Sequence, residues 1–264
     1  MNNKNYLFFT LLALLLLFFQ SSYGQENLSF TVNGVSFEMV FVEGGTFMMG
    51  CTGEQGEEYY WERPVHEVTV SSFYIGKYEI TQKEWVAIMG NNPSHFRSVQ
   101  FLIPRGNNFP VEHVTWADTQ EFITKLNAVT GKKYRLATEA EWEYAARGGS
   151  KSKNYKYSGS DNIDDVAWYS GNSDATTHLV GTKQPNELGI YDMTGNVWEW
   201  CSDWYGLYPD VAQTNPQGPT KGTYRIVRGG GWNNDTKDCR ITLRNFDYQG
   251  SHFNGLGFRI ALSL

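Results

Sequence analysis

Cys51, Cys201 and Cys239 have the widest chemical range of any residues in this 264-residue chain. A thiolate can ligate a soft metal or attack an electrophile, and two thiols can close a disulfide. In an exported protein cysteines often pair, and an odd count leaves one over. His66, His95, His113, His178 and His252 are scattered and form no HxxH or HExxH pair, so their spacing gives zinc catalysis no support. No GxSxG elbow presents a serine nucleophile. GTFMMG and VRGGGW are glycine-rich, but they lack the lysine and the strand–loop–helix context of a phosphate loop. Their glycines are read as tight turns against bulky rings. Glu199 stands between Trp198 and Trp200, and on a strand it points to the face opposite both rings. An unpartnered carboxylate in aromatic surroundings is costly, so this one asks for a cation. That cation is a metal ion or an arginine, the alternative being a carboxylate exposed to water. Arg228 and Arg259 lie in strand-like stretches, and either could hold a carboxylate in a buried ion pair.

Three helices are expected to position these residues, each announced by the same device. Thr81 opens TQKEWVAIMG with Glu84 three residues on, Thr115 opens TWADTQEFITKLN with Asp118, and Thr138 opens TEAEWEYAARGG with Glu141. Each is a capping box, in which the hydroxyl accepts from a free backbone N–H and the acid reaches back to the cap. The acid also suits the positive end of the helix dipole. Trp85, Ile88 and Met89 share one face, as do Phe122, Leu126 and Val129, and Trp142, Ala145 and Ala146. Gly90, Gly131 and Gly148 follow as stops. Strands are expected over 46–49, 67–80, 134–136, 197–204, 224–228 and 257–262, with long polar loops over 148–165 and 205–222. The class is α+β with low regular secondary structure and long loops.

Residues 1–24 read as an export signal: Lys4 in a short n-region, an apolar core over 6–19, and Ser22-Tyr23-Gly24 before the cleavage point. The apolar core is too short to span a bilayer. The expected mature chain, residues 25–264, is one domain with no transmembrane segment, located in a periplasm or secreted. Aromatics make up 16% of the chain, with nine Trp, and there are 27 Gly. That mix suits irregular backbone pinned by large rings. A net charge of −6 with both signs mixed, and no basic patch, excludes nucleic acid as the expected partner.

The order and spacing of EGGTFMMG, RPVHEVTVSSFYIGKYEIT, NNPSHF, PVEHVTW, RLATEAEWEYAARGG, NELGIYDMTGNVWEWCSDWY, RIVRGGGW and GLGFRIAL resemble the formylglycine-generating enzymes, or sulfatase-modifying factors. The resemblance covers about residues 35 to 262 and implies a complex variant of the C-type-lectin-like fold. It also implies an oxidase that converts a sulfatase cysteine to formylglycine, using copper held by two thiolates and a surface groove for an extended peptide. In GGGWNNDTKDCR the second of those cysteines falls on Cys239, but the first falls on Asn234. A monovalent copper ion favours two soft thiolates, and one thiolate with a neutral amide is a poor substitute. The resemblance places Trp198 and Cys239 at the pocket. Because it brings Cys201 near the same pocket, a Cys201–Cys239 disulfide is a further expectation.

The same resemblance implies calcium held by Asp192, the Gly195 and Val197 carbonyls, and Glu199. Those donors suit a hard cation, and Gly195 permits the turn that aims carbonyls inward. Two functions follow. One is a diverged oxidase acting on a cysteine of an exported protein such as a sulfatase, with an incomplete copper site. The alternative is a non-catalytic peptide-, protein- or glycan-binding or assembly module on the same scaffold.

Overall fold

The computed structural model describes residues 26–53, 59–97 and 108–264, and the expected export signal lies outside them. The described chain opens with a hairpin of β1 (Leu28–Val32) and β2 (Val35–Val42), paired in register from Leu28↔Met39 to Val32↔Val35. Asn33 and Gly34 form its two-residue turn with φ of 49° and 79°. Asn and Gly tolerate the left-handed region that such a turn demands.

The next two strands, β3 (Gly45–Met49) and β4 (His66–Val70), run antiparallel, and β5 (Phe73–Gly76) follows β4 directly. The single strand expected over 67–80 is therefore two. The break falls at Ser71–Ser72, where Ser72 Oγ accepts from Gly44 N at 2.9 Å and Ser71 N donates to Asn215 Oδ1 at 2.7 Å.

All three capping boxes are present. Helices α1 (Gln82–Met89), α2 (Trp116–Thr130) and α3 (Glu139–Ala146) start at Thr81, Thr115 and Thr138, and each threonine exchanges bonds with the acid three residues on. Gly90 and Gly131 end the first two in the left-handed conformation. The third ends one residue before Gly148, at Arg147. The apolar faces pack against the core, with Ile88 and Met89 only half-buried, and Val129 is exposed at the last turn of α2.

Between α2 and α3 lies β6 (Tyr134–Leu136). The long loop after α3 contains a short helix α4 (Ile163–Val166). Strand β7 (Trp198–Trp204) carries the WEWC segment. The remaining strands are β8 (Gln213–Thr214), β9 (Tyr224–Arg228), β10 (Arg244–Tyr248), β11 (Leu256–Gly257) and β12 (Ile260–Ser263).

Three sheets result, in the orders β1-β2-β5-β12-β6, β10-β9-β7-β11 and β3-β4-β8. One core cluster packs α1, α2 and the first sheet around Trp85, Phe122, Phe258 and Trp200. A second packs α3 against β3, β4 and β7 around Trp142, Phe73 and Cys201. Strand β7 contributes to both, which makes it the shared wall of the molecule.

Buried ion pairs brace this wall. Glu139 takes Arg244 in two bonds of 2.7 Å each, and Glu143 takes Arg147 and Arg228. Glu62 takes Arg240 through bonds of 2.8 and 2.7 Å. These carboxylates are all buried, so each pair satisfies charges that would be costly alone. The acids of TEAEWE thus have structural work: Glu141 caps its helix and pairs with Arg135, while Glu139 and Glu143 anchor arginines from β9 and β10.

Candidate functional site around Asn234 and Cys239

The stretch expected to hold a metal begins at a tight turn after β9. Gly229 and Gly230 have φ of 100° and 76°, a region that L side chains rarely adopt. A Cβ on Gly230 would come within 2.7 Å of Cys239 Sγ, so the turn closes directly over the thiol. Trp232 N donates to Asn196 O at 2.8 Å, and Trp232 Nε1 donates to Asn254 O at 2.7 Å. Asn234 N donates to Gly231 O at 3.0 Å, and Asn234 O accepts from Ser170 N at 2.9 Å. The loop is therefore fixed at both ends and from both sides.

Asn234 and Cys239 do not face a common ion. The Asn234 amide oxygen accepts from Trp198 Nε1 at 2.8 Å, and its Nδ2 lies 3.4 Å from Asp238 Oδ2. Cys239 is fully buried in a small cluster with Tyr157, Ile163, Val166 and Ala167. Burial pushes its thiol well up, and Asp238 and Asp235 add to the rise. A thiol in that setting stays protonated at neutral pH and is shielded from solvent, the opposite of a reactive thiolate. These residues do not fit a copper ion, because the amide is engaged and the sulfur is neutral and covered. Trp198 is buried too. It packs the wall of the site rather than lining an open pocket.

None of the three cysteines is in a disulfide. The expected Cys201–Cys239 pair is corrected: Cys201 belongs to the α3 core, and Cys239 belongs to the separate cluster beneath Gly230. Burial raises the Cys201 thiol well above its ordinary value, with Asp203 adding to the effect.

The segment expected to hold calcium is built around an arginine. Glu199 accepts from Arg259 Nε at 2.6 Å and Nη2 at 2.5 Å, and from Trp142 Nε1 at 2.7 Å. Arg259 also donates to the carbonyls of Gly76 and Tyr191. Both oxygens of Glu199 are thereby committed, so the side chain does not fit a calcium ion without breaking this pair. Asp192, with φ of 58°, accepts from Gly181 N at 2.7 Å through Oδ2. Burial pushes its carboxyl up to about 6. Gly195, at φ of 79°, donates its N–H to Gly229 O at 2.9 Å, tying this segment to the glycine turn. Among the described residues, no three His, Cys, Asp or Glu side chains are grouped so as to hold an ion.

Glu79 is the residue here that the sequence did not flag. It is fully buried and accepts from Val197 N at 3.0 Å and from Asn196 Nδ2 at 2.6 Å. Burial raises its carboxyl well above the ordinary range, and Asp192 and Glu199 raise it further. Glu79 therefore sets the conformation of the residues leading into β7. In GKYEIT it is a lone acid between Tyr78 and Ile80, with no spacing that marks its partners.

Few regular elements, three small sheets and long pinned loops define a C-type-lectin-like α+β domain. Residues 29–264 match the sulfatase-modifying factor enzyme 1-like domain, and the chain belongs to that family. It is 37% identical to the chaperone protein LppX of Paenibacillus barcinonensis, over 84% of this chain and 87% of LppX. It is 29% identical to the formylglycine-generating enzyme of Streptomyces coelicolor, over 84% of this chain and 88% of the enzyme. It is 35% identical to serine/threonine-protein kinase pkn1 of Chlamydia caviae, but spans only 38% of that protein's length. Among solved structures, Treponema denticola variable protein 1 superposes with a TM-score of 0.82 at 31% identity, covering 89% of this chain and 98% of that one. No described helix is long and apolar enough to cross a membrane.

Proposed function

We propose that this chain is a non-catalytic binding or assembly module of the sulfatase-modifying factor family. It holds an extended segment of an exported protein rather than oxidising a cysteine within it. The observation that carries this reading is the Asn234–Trp198 hydrogen bond beside a buried Cys239. The position that supplies a thiolate in the oxidases supplies a structural acceptor here, and the remaining sulfur is neutral and covered. Likeness to a chaperone protein across most of both chains supports a holding role. Export, by the N-terminal segment, belongs to the same proposal. We also propose that Arg259 neutralises the Glu199 segment, in place of calcium.

Cu(I) affinity, measured by competition with a chromogenic chelator, tests the reading. The natural chain is expected to bind negligibly and to give no oxygen uptake with a cysteine-containing peptide. Asn234→Cys is expected to gain Cu(I) affinity, because it restores a second soft ligand. Tight Cu(I) binding by the natural chain, or peptide-dependent oxygen uptake, would establish the diverged oxidase instead.

A further inference from the structure

The histidines, scattered in sequence, do not remain so in space. His113 and His252 lie 139 positions apart in the numbering, yet their ring centres are 4.7 Å apart with planes tilted by 46°. Backbone holds them together: His113 N donates to the carbonyl of Phe253, the neighbour of His252, at 3.1 Å. His113 has φ of 66°, a left-handed conformation that is uncommon for a non-glycine residue and that clusters at functional sites.

Each ring has a main-chain carbonyl oxygen beside it. His252 Nδ1 lies 3.2 Å from Gly250 O. At His113 the backbone of Pro93 favours the charged imidazole, as a nearby main-chain carbonyl does. A carbonyl that takes one ring N–H fixes the tautomer and leaves the other nitrogen as a lone-pair donor. Metal-binding histidines are prepared in this way. Spacing agrees as well. With Zn–N bonds of about 2.1 Å and a tetrahedral angle, two imidazoles on one ion have ring centres about 5 Å apart. His252 is exposed and His113 half-buried, so an ion can reach them. The exposed His95 is close enough for its charge to be felt at His113.

We propose that His113 and His252 form a two-histidine surface site for a divalent transition ion of the Zn2+ class, with water completing the coordination. The site is independent of the cysteine-bearing loop and of the reading proposed for it. Bound metal would tie the segment before α2 to the segment after β10, two pieces of backbone otherwise linked here by main-chain bonds.

Calorimetric titration of the full chain with Zn2+ tests this. The natural chain is expected to show one site, and His252→Ala and His113→Asn are each expected to weaken it at least tenfold. Asn is chosen at 113 because it tolerates the left-handed conformation. His178→Ala, whose ring stacks on Trp168 elsewhere, is expected to bind like the natural chain. Circular dichroism identifies any variant that fails to fold, and the other then decides. Absence of Zn2+ binding by the natural chain, or an undiminished affinity in folded His252→Ala or His113→Asn, would overturn the proposal.

Discussion

Trp198 and Asn234 are joined by a 2.8 Å bond from the indole N–H to the amide oxygen. The indole is buried, and a buried donor left without an acceptor costs about 1–3 kcal/mol. Asn234→Ala is therefore expected to destabilise the chain by that amount in urea unfolding. Asn234→Asp keeps an acceptor, but it brings a second carboxylate close to Asp238. It is expected to fall between the natural chain and Asn234→Ala. Equal stability of the alanine variant and the natural chain would show that the bond does not hold the loop.

Glu199 and Arg259 are both buried, and each would be an uncompensated charge without the other. Removing one partner of such a pair costs about 3–5 kcal/mol. Arg259→Met is expected to lose that much in denaturant unfolding, with Glu199→Gln milder because the amide keeps part of the bonding. If Arg259 is the cation of this segment, excess EGTA shifts the melting temperature by less than about 1 °C, since no stabilising ion is removed. A fall of several degrees would restore calcium to the segment.

The two cases differ in what a sequence can show. Capping boxes are local: hydroxyl and acid lie three residues apart, so Thr81, Thr115 and Thr138 marked their helices unaided. The Asn33-Gly34 turn between apolar runs is equally local and announces the β1–β2 hairpin. Strand β10 was missed because RNFDY is a polar edge strand with little alternation to read. The ion pairs are another matter. Glu62 meets Arg240 across 178 residues and Glu199 meets Arg259 across 60, and spacing carries no trace of such partners. The choice between metal ion and arginine at Glu199 was therefore open from sequence. Cys239 shows the same limit, because a thiol is reactive or inert according to its surroundings.

Those surroundings make the thiols testable. Cys201 and Cys239 are fully buried with thiols pushed up, so neither presents a thiolate to a soluble reagent. Brief iodoacetamide treatment of the native protein at pH 7.5 is expected to leave both unmodified. In guanidinium without reductant both are expected to be alkylated, as mass spectrometry would read directly. Rapid native labelling of Cys239 would contradict the burial described here. Resistance to labelling in denaturant would reveal a disulfide.

Asp203 gives the chain a pH dependence whose sign can be worked out. It is buried and accepts from Glu139 N at 3.0 Å and Ser202 Oγ at 2.8 Å. Burial pushes its carboxyl from 3.8 up to about 7, with Glu139 adding to the rise. Between those values the folded chain keeps a proton that the unfolded chain has released. Stability therefore falls as pH rises through that window, and the loss is complete once both states are ionised. At about 1.4 kcal/mol per pKa unit, the contribution reaches roughly 4 kcal/mol at most. Asp203→Asn removes the titration while keeping an oxygen for the Glu139 N–H. Its unfolding free energy is expected to fall less between pH 5 and pH 8 than that of the natural chain. Glu84 and Asp192 titrate in both proteins, so the difference between the two curves belongs to Asp203. Parallel curves would mean that this carboxylate is ionised throughout, with its charge met by the nearby Arg225.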